Sequence, residues 1–205
     1  MIEPLSDMTT LSELNQEIAR CVLCEIAKYR TNTVPGEGPE DAEIMFIGEA
    51  PGWHEDQQGR PFVGPAGHYL EQLLASIGLT RRQVFIANVI KCRPANNRDP
   101  LPTEIQNCQK WLDQQMDTIK PKMVVTLGRY SMARFFPGKS ISKIHGTAVK
   151  QDSTILFAMY HPAAALHQQS LRQAIEADMK KIPAVLAETK SVPEAEPGAQ
   201  QLSMF

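Results

Sequence analysis

The sequence predicts an α/β protein in which a parallel β-sheet lies between two layers of helices. Four short apolar runs have the length and composition of buried strands: residues 44–47, 84–89, 123–127 and 155–160. Segments with the helical spacing of apolar residues separate these runs. Strands that alternate with helices form parallel sheets with right-handed crossovers and helices on both faces. A chain of 205 residues is long enough to bury one such core.

The helices can be placed from the residues at their ends. Thr10 and Glu13 have the spacing of a capping box, which predicts a helix start. A second helix is expected after the glycine-rich segment that begins at Gly64, and a third begins at Pro102. A last helix is expected over residues 170–188. Residues 1–187 are therefore predicted to form one domain, and the polar residues 188–205 a disordered tail.

Composition limits the classes of partner that the protein can have. The net charge is −2, which argues against a large basic surface for nucleic acid. Two local groups of basic residues are either solvated faces or contacts to a few phosphates: Lys91, Arg93 and Arg98, and Lys139, Lys143 and Lys150. The chain has no apolar run of transmembrane length and no signal-peptide pattern, so we expect a cytoplasmic protein without a membrane partner.

The stretch from residue 44 to residue 74 is the best candidate for a functional site. It predicts a strand, a loop with several glycines and prolines, and the start of a helix, and such loops often bind phosphates or small ligands. The glycines match neither dinucleotide-binding nor Walker patterns, so no nucleotide cofactor is expected. The loop could be only a tight connection. Its acids together with Arg60 and Phe62 favour a site.

Polar side chains follow three of the predicted strands. Glu49, Asn88 and His161 each lie just beyond the carboxyl end of a strand. Because the carboxyl ends of parallel strands share one edge of the sheet, these three side chains can converge on one crevice.

The four cysteines of the chain form two local pairs, with C-x2-C spacing for Cys21 and Cys24 and C-x15-C spacing for Cys92 and Cys108. Cytosolic thiols are kept reduced, so the pattern predicts metal binding rather than disulfides. Spacing alone does not choose between structural zinc and a [4Fe–4S] cluster, and unrelated buried thiols are the remaining alternative. A centre with four thiolate ligands would be structural, because it leaves no open position for a substrate.

Three segments, GEAPGWHEDQQGRPFVGPAGHYLEQLL, NVIKCRPANNRDP and HPAAAL, together with the cysteine spacing, resemble the family 4 uracil-DNA glycosylases, the iron–sulfur type. The resemblance implies a three-layer α/β/α fold with a central four-stranded parallel sheet. It also implies a structural [4Fe–4S] cluster on Cys21, Cys24, Cys92 and Cys108. The expected reaction is hydrolysis of the N-glycosidic bond of deoxyuridine in single- or double-stranded DNA, which starts base excision repair of deaminated cytosine. No covalent attachment to uracil is expected, because the basic insert of a related group is missing.

The resemblance and the chemistry of the side chains together assign roles. Phe62 would stack on uracil, Asn88 would pair with its O4 and N3–H edge, and His161 would donate to O2 as negative charge develops there. Ala50 occupies the position where the best-known branch has a water-positioning Asp. Glu49 and Glu55 are therefore the candidates for that task, with Asp56 as a third. The turn from Glu49 to Pro51 is expected to exclude the methyl group of thymine. Further expected contacts are Gly48, Ala50 and Asn97 to the substrate, and Arg98, Lys143 and a wedge residue, Leu166, to DNA.

The chain ends in a motif of its own. Gln201, Leu202, Met204 and Phe205 resemble the peptide by which bacterial proteins bind the DNA polymerase sliding clamp, although an apolar terminus can also arise by chance. We expect a monomer. Two other functions are compatible with the sequence: a non-catalytic uracil- or damage-binding iron–sulfur module, and a glycosylase of the same fold for another deaminated base.

Overall fold

A computed structural model describes residues 10–166 and 168–187 of the chain. The sheet contains five strands: β1 (Ile44–Gly48), β2 (Phe85–Asn88), β3 (Met123–Leu127), β4 (Ala148–Gln151) and β5 (Thr154–Met159). Their order is β2-β1-β3-β5-β4. The pairs β1–β2, β1–β3 and β3–β5 are parallel, which confirms the predicted four-stranded parallel sheet.

The fifth strand, β4, was not predicted. It runs antiparallel to β5 at the edge of the sheet and joins it through a tight turn in which Asp152 has a φ of 54°. Its four residues, Ala-Val-Lys-Gln, are only partly buried and so lack the apolar run that marks the other strands. Pairing with β5, rather than burial of its own side chains, forms this strand.

The helices of the described part are α1 (Leu11–Ala19), α2 (Trp53–Gln58), α3 (Pro65–Ser76), α4 (Pro102–Ile119), α5 (Arg129–Phe135), α6 (Ile141–Ile144), α7 (Pro162–Ala165), α8 (Gln169–Met179) and α9 (Ile182–Ala187). Short 3₁₀ turns span Glu25–Lys28, Arg81–Gln83 and Ala95–Asn97. The capping box of Thr10 and Glu13 begins α1 as predicted. The single last helix predicted over residues 170–188 is wrong, because it divides into α8 and α9. Pro183 is the second residue of α9, where its missing N–H and its ring favour a new helix start over continuation.

The sheet separates two apolar cores, as expected for three layers. Alternate side chains of β1 point to opposite faces, with Met45 and Ile47 in one core and Ile44 and Phe46 in the other. The first core includes residues of α1 and α4, and the second includes residues of α3 and α8. None of the helices in the described part is both long and apolar enough to cross a membrane.

The register of the strands sets where their carboxyl ends lie. Gly48 pairs with Asn88 and Leu127 pairs with Met159, so the parallel strands end at nearly the same level. The segments that follow them therefore open on the same side of the sheet. The predicted tail and its clamp-binding residues, Gln201, Leu202, Met204 and Phe205, lie outside the described residues.

Candidate active site and cysteine centre

A cavity of about 260 Å³ opens beyond the carboxyl ends of the strands. Eight of the residues predicted for the site line it: Glu49, Ala50, Glu55, Phe62, Asn88, Asn97, Arg98 and His161. The other lining residues are Pro51, Gly52, Ala66, Pro94 and Ala163. Segments far apart in the chain thus converge on one space, as the rule for parallel strands predicts.

Among the described residues that line this cavity, Asn88 has a buried side-chain atom without a hydrogen-bond partner. The residue ends β2 and is only 1% exposed. Its Oδ1 atom has no hydrogen-bond partner within the described ranges, although a buried amide oxygen ordinarily has one. The Asn88 amide borders the cavity, so a polar ligand there would complete its hydrogen bonding.

Phe62 is held in an unusual backbone conformation. Its φ is +52°, which is uncommon for an aromatic residue, and Arg81 donates a 2.6 Å hydrogen bond to its carbonyl. A Cβ on Gly67 would lie 1.9 Å from that same carbonyl oxygen, so only glycine fits there. The Phe62 ring stacks near His161, with 5.6 Å between ring centroids and 27° between planes. Both residues line the cavity.

Gly48 makes room for this arrangement. A Cβ at this position would lie 2.4 Å from Asn88 Oδ1 and 2.7 Å from Cζ of Phe62. Any other residue would displace the amide, the ring or both. The last residue of β1 thus acts by its lack of a side chain.

His161 has a defined tautomer. Its Nδ1 accepts a 3.1 Å hydrogen bond from the backbone N–H of Ala163 at the start of α7. Burial lowers the pKa of His161 to about 4, so the ring is neutral at pH 7. Because Nδ1 accepts, the single proton resides on Nε2. The ring can therefore donate one hydrogen bond to a ligand without carrying charge.

Glu55 is engaged with the backbone of its own loop. Oε1 accepts from the N–H groups of Val63 and Gly64, both at 2.9 Å, and Oε2 accepts from the N–H of Gly52 at 3.1 Å. The carboxylate thus closes the start of α2 and ties it to the segment before α3. Asp56 is 2% exposed, accepts from the backbone N–H of Thr31 at 3.0 Å and is absent from the cavity lining.

Glu49 differs from both. Within the described part of the chain, its half-buried carboxylate makes no recorded hydrogen bond. Burial raises the pKa of Glu49 to about 7; the Asp99 carboxylate acts in the same direction and the Arg129 guanidinium opposes them. Glu49 is thus a carboxyl group in the cavity wall that remains available to a water molecule.

The residues predicted to contact DNA occupy different environments. Arg98 makes a bidentate ion pair with Glu104 at 2.6 and 2.9 Å, and Asn97 Oδ1 accepts from Arg93 Nε at 2.7 Å. Lys143 is exposed in α6, away from the cavity lining. Leu166 is 45% exposed at the end of α7, the helix that begins after His161.

The sequence analysis missed two residues near the site, Asp99 and Arg129, and misinterpreted a third, Lys91. Asp99 and Arg129 form an ion pair beside Glu49. Arg129 lies just beyond the carboxyl end of β3, after Gly128. A search for polar residues that follow strands, which identified Asn88 and His161, could also have identified Arg129. Lys91 is 1% exposed, so its interpretation as part of a basic surface group is wrong.

The four cysteines line a second, smaller cavity next to the first core. Three N–H groups donate to their sulfurs: Arg30 Nη1 to Cys92 at 3.1 Å, Trp111 Nε1 to Cys21 at 3.3 Å, and the backbone of Lys91 to Cys108 at 3.2 Å. Burial raises the pKa of the Cys108 thiol to about 12, so without a metal this sulfur keeps its proton. N–H donors to sulfur are typical of the surroundings of thiolate ligands, so the chemistry of these residues is compatible with a metal centre.

Among the residues that the structure describes, no group of three or more His, Cys, Asp or Glu side chains is arranged to hold a metal ion.

Comparison with known proteins agrees with this geometry. The family described as the uracil DNA glycosylase superfamily matches residues 35–183. The chain is 50% identical to the type-4 uracil-DNA glycosylase of Sulfurisphaera tokodaii over 85% of this chain and 84% of that protein. It is 45% identical to the type-4 enzyme of Archaeoglobus fulgidus (85% and 92% covered) and 39% identical to that of Thermotoga maritima (82% and 90% covered). This chain therefore belongs to the uracil DNA glycosylase superfamily and, within it, to the type-4 uracil-DNA glycosylases.

Proposed function

We propose that this protein removes uracil from DNA by hydrolysing the N-glycosidic bond between the base and deoxyribose. The observation that carries the proposal is the buried side chain of Asn88, whose Oδ1 has no hydrogen-bond partner within the described chain and which lines the same cavity as Phe62 and His161. Membership of the type-4 family supports the same activity.

The side chains of the cavity account for recognition. The Asn88 amide can donate to O4 of uracil and accept from N3–H, whereas cytosine presents the opposite pattern at these two atoms. Hypoxanthine presents the same acceptor–donor pair, O6 and N1–H, so Asn88 alone does not reject it. Its larger two-ring skeleton and its lack of an oxygen equivalent to uracil O2, to which His161 would donate, distinguish it from uracil. Phe62 supplies a stacking face. The turn from Glu49 to Pro51 lines the cavity, and we assign to it the exclusion of the thymine methyl group.

The chemistry divides between His161 and Glu49. As the glycosidic bond breaks, negative charge develops on uracil O2, and the neutral His161 can donate to it from Nε2. Glu49, when ionised, positions the attacking water and accepts its proton. Glu55 was an equal candidate from the sequence, but its hydrogen bonds to three backbone N–H groups favour a role in holding the loop.

A base stacked in a duplex cannot reach this cavity, so the nucleotide must be flipped out of the helix. We propose that Leu166, exposed at the end of α7, fills the vacated space. Lys143 is proposed to contact a backbone phosphate, and Asn97 to contact the substrate from the cavity wall. The ion pair of Arg98 with Glu104 is expected to keep the Asn97 loop in place, so that Arg98 acts on DNA mainly through this loop.

We propose that the four cysteines hold a [4Fe–4S] cluster. Its role would be structural, because each iron would have a cysteine ligand and none would be open to a substrate. No step of the hydrolysis requires the cluster.

The activity can be tested by excision from labelled oligonucleotides in EDTA, followed by alkaline cleavage of abasic sites. We expect product from single-stranded and U:G substrates and none from a T:G control. The variant N88A should lose uracil excision, because its cavity no longer offers the amide. Tight binding of uracil-DNA without abasic product would instead favour a non-catalytic binding module.

The C-terminal residues Gln201, Leu202, Met204 and Phe205 are proposed to bind the sliding clamp, on the sequence pattern alone. Attachment to the clamp would raise the local concentration of enzyme on replicated DNA. Deletion of residues 201–205 should abolish binding to purified clamp and leave excision from short oligonucleotides intact. Clamp affinity that survives the deletion would refute this role. The enzyme itself is proposed to act as a monomer.

A further inference from the structure

Lys91 lies beneath the cavity rather than on the surface. It is 1% exposed, and its ammonium group donates to two oxygens: the backbone carbonyl of Asn88 at 2.9 Å and Oε1 of Gln115 at 2.6 Å. Burying an ammonium group is costly, and an apolar side chain would fill the same volume at a lower cost. The position therefore indicates a task for the hydrogen bonds of Lys91 beyond packing.

Both ends of Lys91 are fixed by other elements. Gln115, on α4, is fully buried and donates from Nε2 to the carbonyl of Pro35 at 2.8 Å. The backbone carbonyl of Lys91 accepts from the N–H of Val34 at 2.7 Å. The ammonium group is thus held between the end of β2 and α4 and has little freedom to leave Asn88.

Asn88 needs such support. Its side-chain oxygen has no partner in the described protein, so no side-chain hydrogen bond to that atom sets the direction of the amide before a ligand arrives. Asn88 is also the last residue of β2, and the peptide that follows it is held on its N–H side, where Val89 donates to the carbonyl of Gly48 at 3.0 Å. Lys91 is the hydrogen-bond donor to the carbonyl of Asn88 and so restrains the peptide from which the amide projects.

Lys91 also reaches the cysteine centre. Its backbone N–H donates to Cys108 Sγ at 3.2 Å, and Cys92 follows it directly in the chain. One residue therefore joins the cysteine centre, through its backbone, to the recognition residue, through its side chain.

We propose that Lys91 is a positioning residue that orients the Asn88 amide for uracil, and that it transmits the position of the cysteine centre to the base-recognition cavity. This inference rests on the proposed removal of uracil. Lys91 does not touch the base, and its effect passes through Asn88.

The test compares two uncleavable ligands with the full-length, cluster-loaded protein. One oligonucleotide carries 2′-fluoro-2′-deoxyuridine and the other a tetrahydrofuran abasic analogue. K91M removes the side-chain hydrogen bonds and keeps the backbone N–H to Cys108, so the visible absorbance of the cluster should remain. We expect affinity for the uracil analogue to fall about tenfold or more, as for a lost hydrogen bond from a charged group, and affinity for the abasic analogue to stay the same. T126V is the control, because it also replaces a buried polar side chain outside the cavity lining and should change neither affinity.

A double-mutant cycle separates positioning from general support of the fold. In an N88A background, K91M should have little further effect on the affinity for the uracil analogue, because the group that it orients is gone. Equal effects of K91M with and without Asn88, or equal losses of affinity for both ligands, would overturn the proposal. If K91M does not fold, Q115L releases the other end of the ammonium group. Q115L should reduce the affinity for the uracil analogue by less than K91M does, and this reduction should also disappear in an N88A background.

The outcomes distinguish this inference from the proposed function. A wild-type protein that neither excises uracil nor prefers the uracil analogue would refute the function. A wild-type protein that does both, with K91M unchanged in its preference, would refute only the role of Lys91.

Discussion

The Glu49 carboxyl group lies at the cavity wall, where it feels the charges of the Asp99–Arg129 ion pair. Burial is the largest influence on it and raises its pKa to about 7. Below pH 7 the group is mostly protonated and cannot accept a proton from water. A carboxyl group is ordinarily ionised at neutral pH, but the pKa of Glu49 lies near 7, the range suited to a general base.

The single-turnover rate of excision should accordingly fall as pH decreases through about 7. E49Q should lower the rate by about 100-fold or more and remove this dependence, since a missing general base typically costs that much. The measurement is single-turnover excision from pH 5.5 to pH 9. E55Q is the comparison: it should retain the pH dependence while destabilising the loop. An E49Q protein with the wild-type rate would exclude Glu49 from this task.

The stability of the fold should change with pH in the opposite direction to the excision rate, because ionised Glu49 favours catalysis but destabilises the fold. Its folded-state pKa lies above the ordinary 4.5, so the folded protein binds this proton more tightly than the unfolded chain. Ionisation of Glu49 therefore destabilises the fold as pH rises from about 4.5 to above 7. E49Q should raise Tm relative to wild type more at pH 8 than at pH 5.5. Thermal unfolding followed by circular dichroism measures this difference, and a gain that is larger at pH 5.5 would contradict it.

The two charged neighbours of Glu49 should shift the pH profile in opposite directions. D99N removes the anion that raises the pKa of Glu49, so the acidic limb should move to lower pH. R129M removes the cation that lowers the pKa of Glu49, so the acidic limb should move to higher pH. Both changes break the same ion pair, so each variant is a control for loss of the pair itself. Shifts in the same direction would show that the pair acts through structure rather than charge.

At the scale of elements, the site depends on how closely β1 approaches β2 and the loop before α3. Gly48 ends β1 at the point where the Asn88 amide and the Phe62 ring come together. The loop is then tied by the Glu55 carboxylate and by Arg81, whose guanidinium donates to the Phe62 carbonyl. The strand end and the loop thus form one connected part of the cavity wall.

G48A should fold and lose uracil excision by about tenfold or more, because its methyl group would enter the space of the amide and the ring. The control is G78A, whose Cβ would have no neighbour within 4 Å and whose positive φ of 76° makes it mildly destabilising. Excision rate and Tm are measured for both. A G48A protein as active as G78A would show that the close approach is not required.

At the scale of the whole molecule, the cysteine centre joins parts of the chain that are distant in sequence. Cys21 and Cys24 follow α1, Cys92 lies in the loop after β2, and Cys108 lies in α4. A cluster on these residues would close long loops, and such cross-links restrict the unfolded chain. The loop after β2 also carries Asn97 and Arg98 to the cavity.

C108A should therefore lose the visible absorbance of the cluster and show a lower Tm, with excision falling as the loop after β2 loosens. Removal of iron by a chelator under reducing conditions should have the same effect on wild type. Absorbance, iron content and thermal unfolding are the measurements. A C108A protein with unchanged Tm would show that the centre does not support the fold.

The sequence determined much of this protein because its signals are local. Apolar runs gave four strands, the Thr10 capping box gave the start of α1, and the positions of Glu49, Asn88 and His161 after strands placed them at one edge. The motifs and the cysteine spacing indicate the family without reference to the tertiary structure. These features depend on residues near one another in the chain.

The tertiary structure decided what depends on contacts between distant residues. It added β4, which pairs with β5 without an apolar run of its own, and it placed Lys91 in the interior under Asn88. It also separated the surroundings of the two candidate acids. The Glu55 carboxylate accepts hydrogen bonds from three backbone N–H groups, whereas the pKa of Glu49 is set by burial and by two charged neighbours. Burial, partners and electrostatic field arise only when the chain has folded, so the type of a residue shows what it can do and its surroundings decide which task it has.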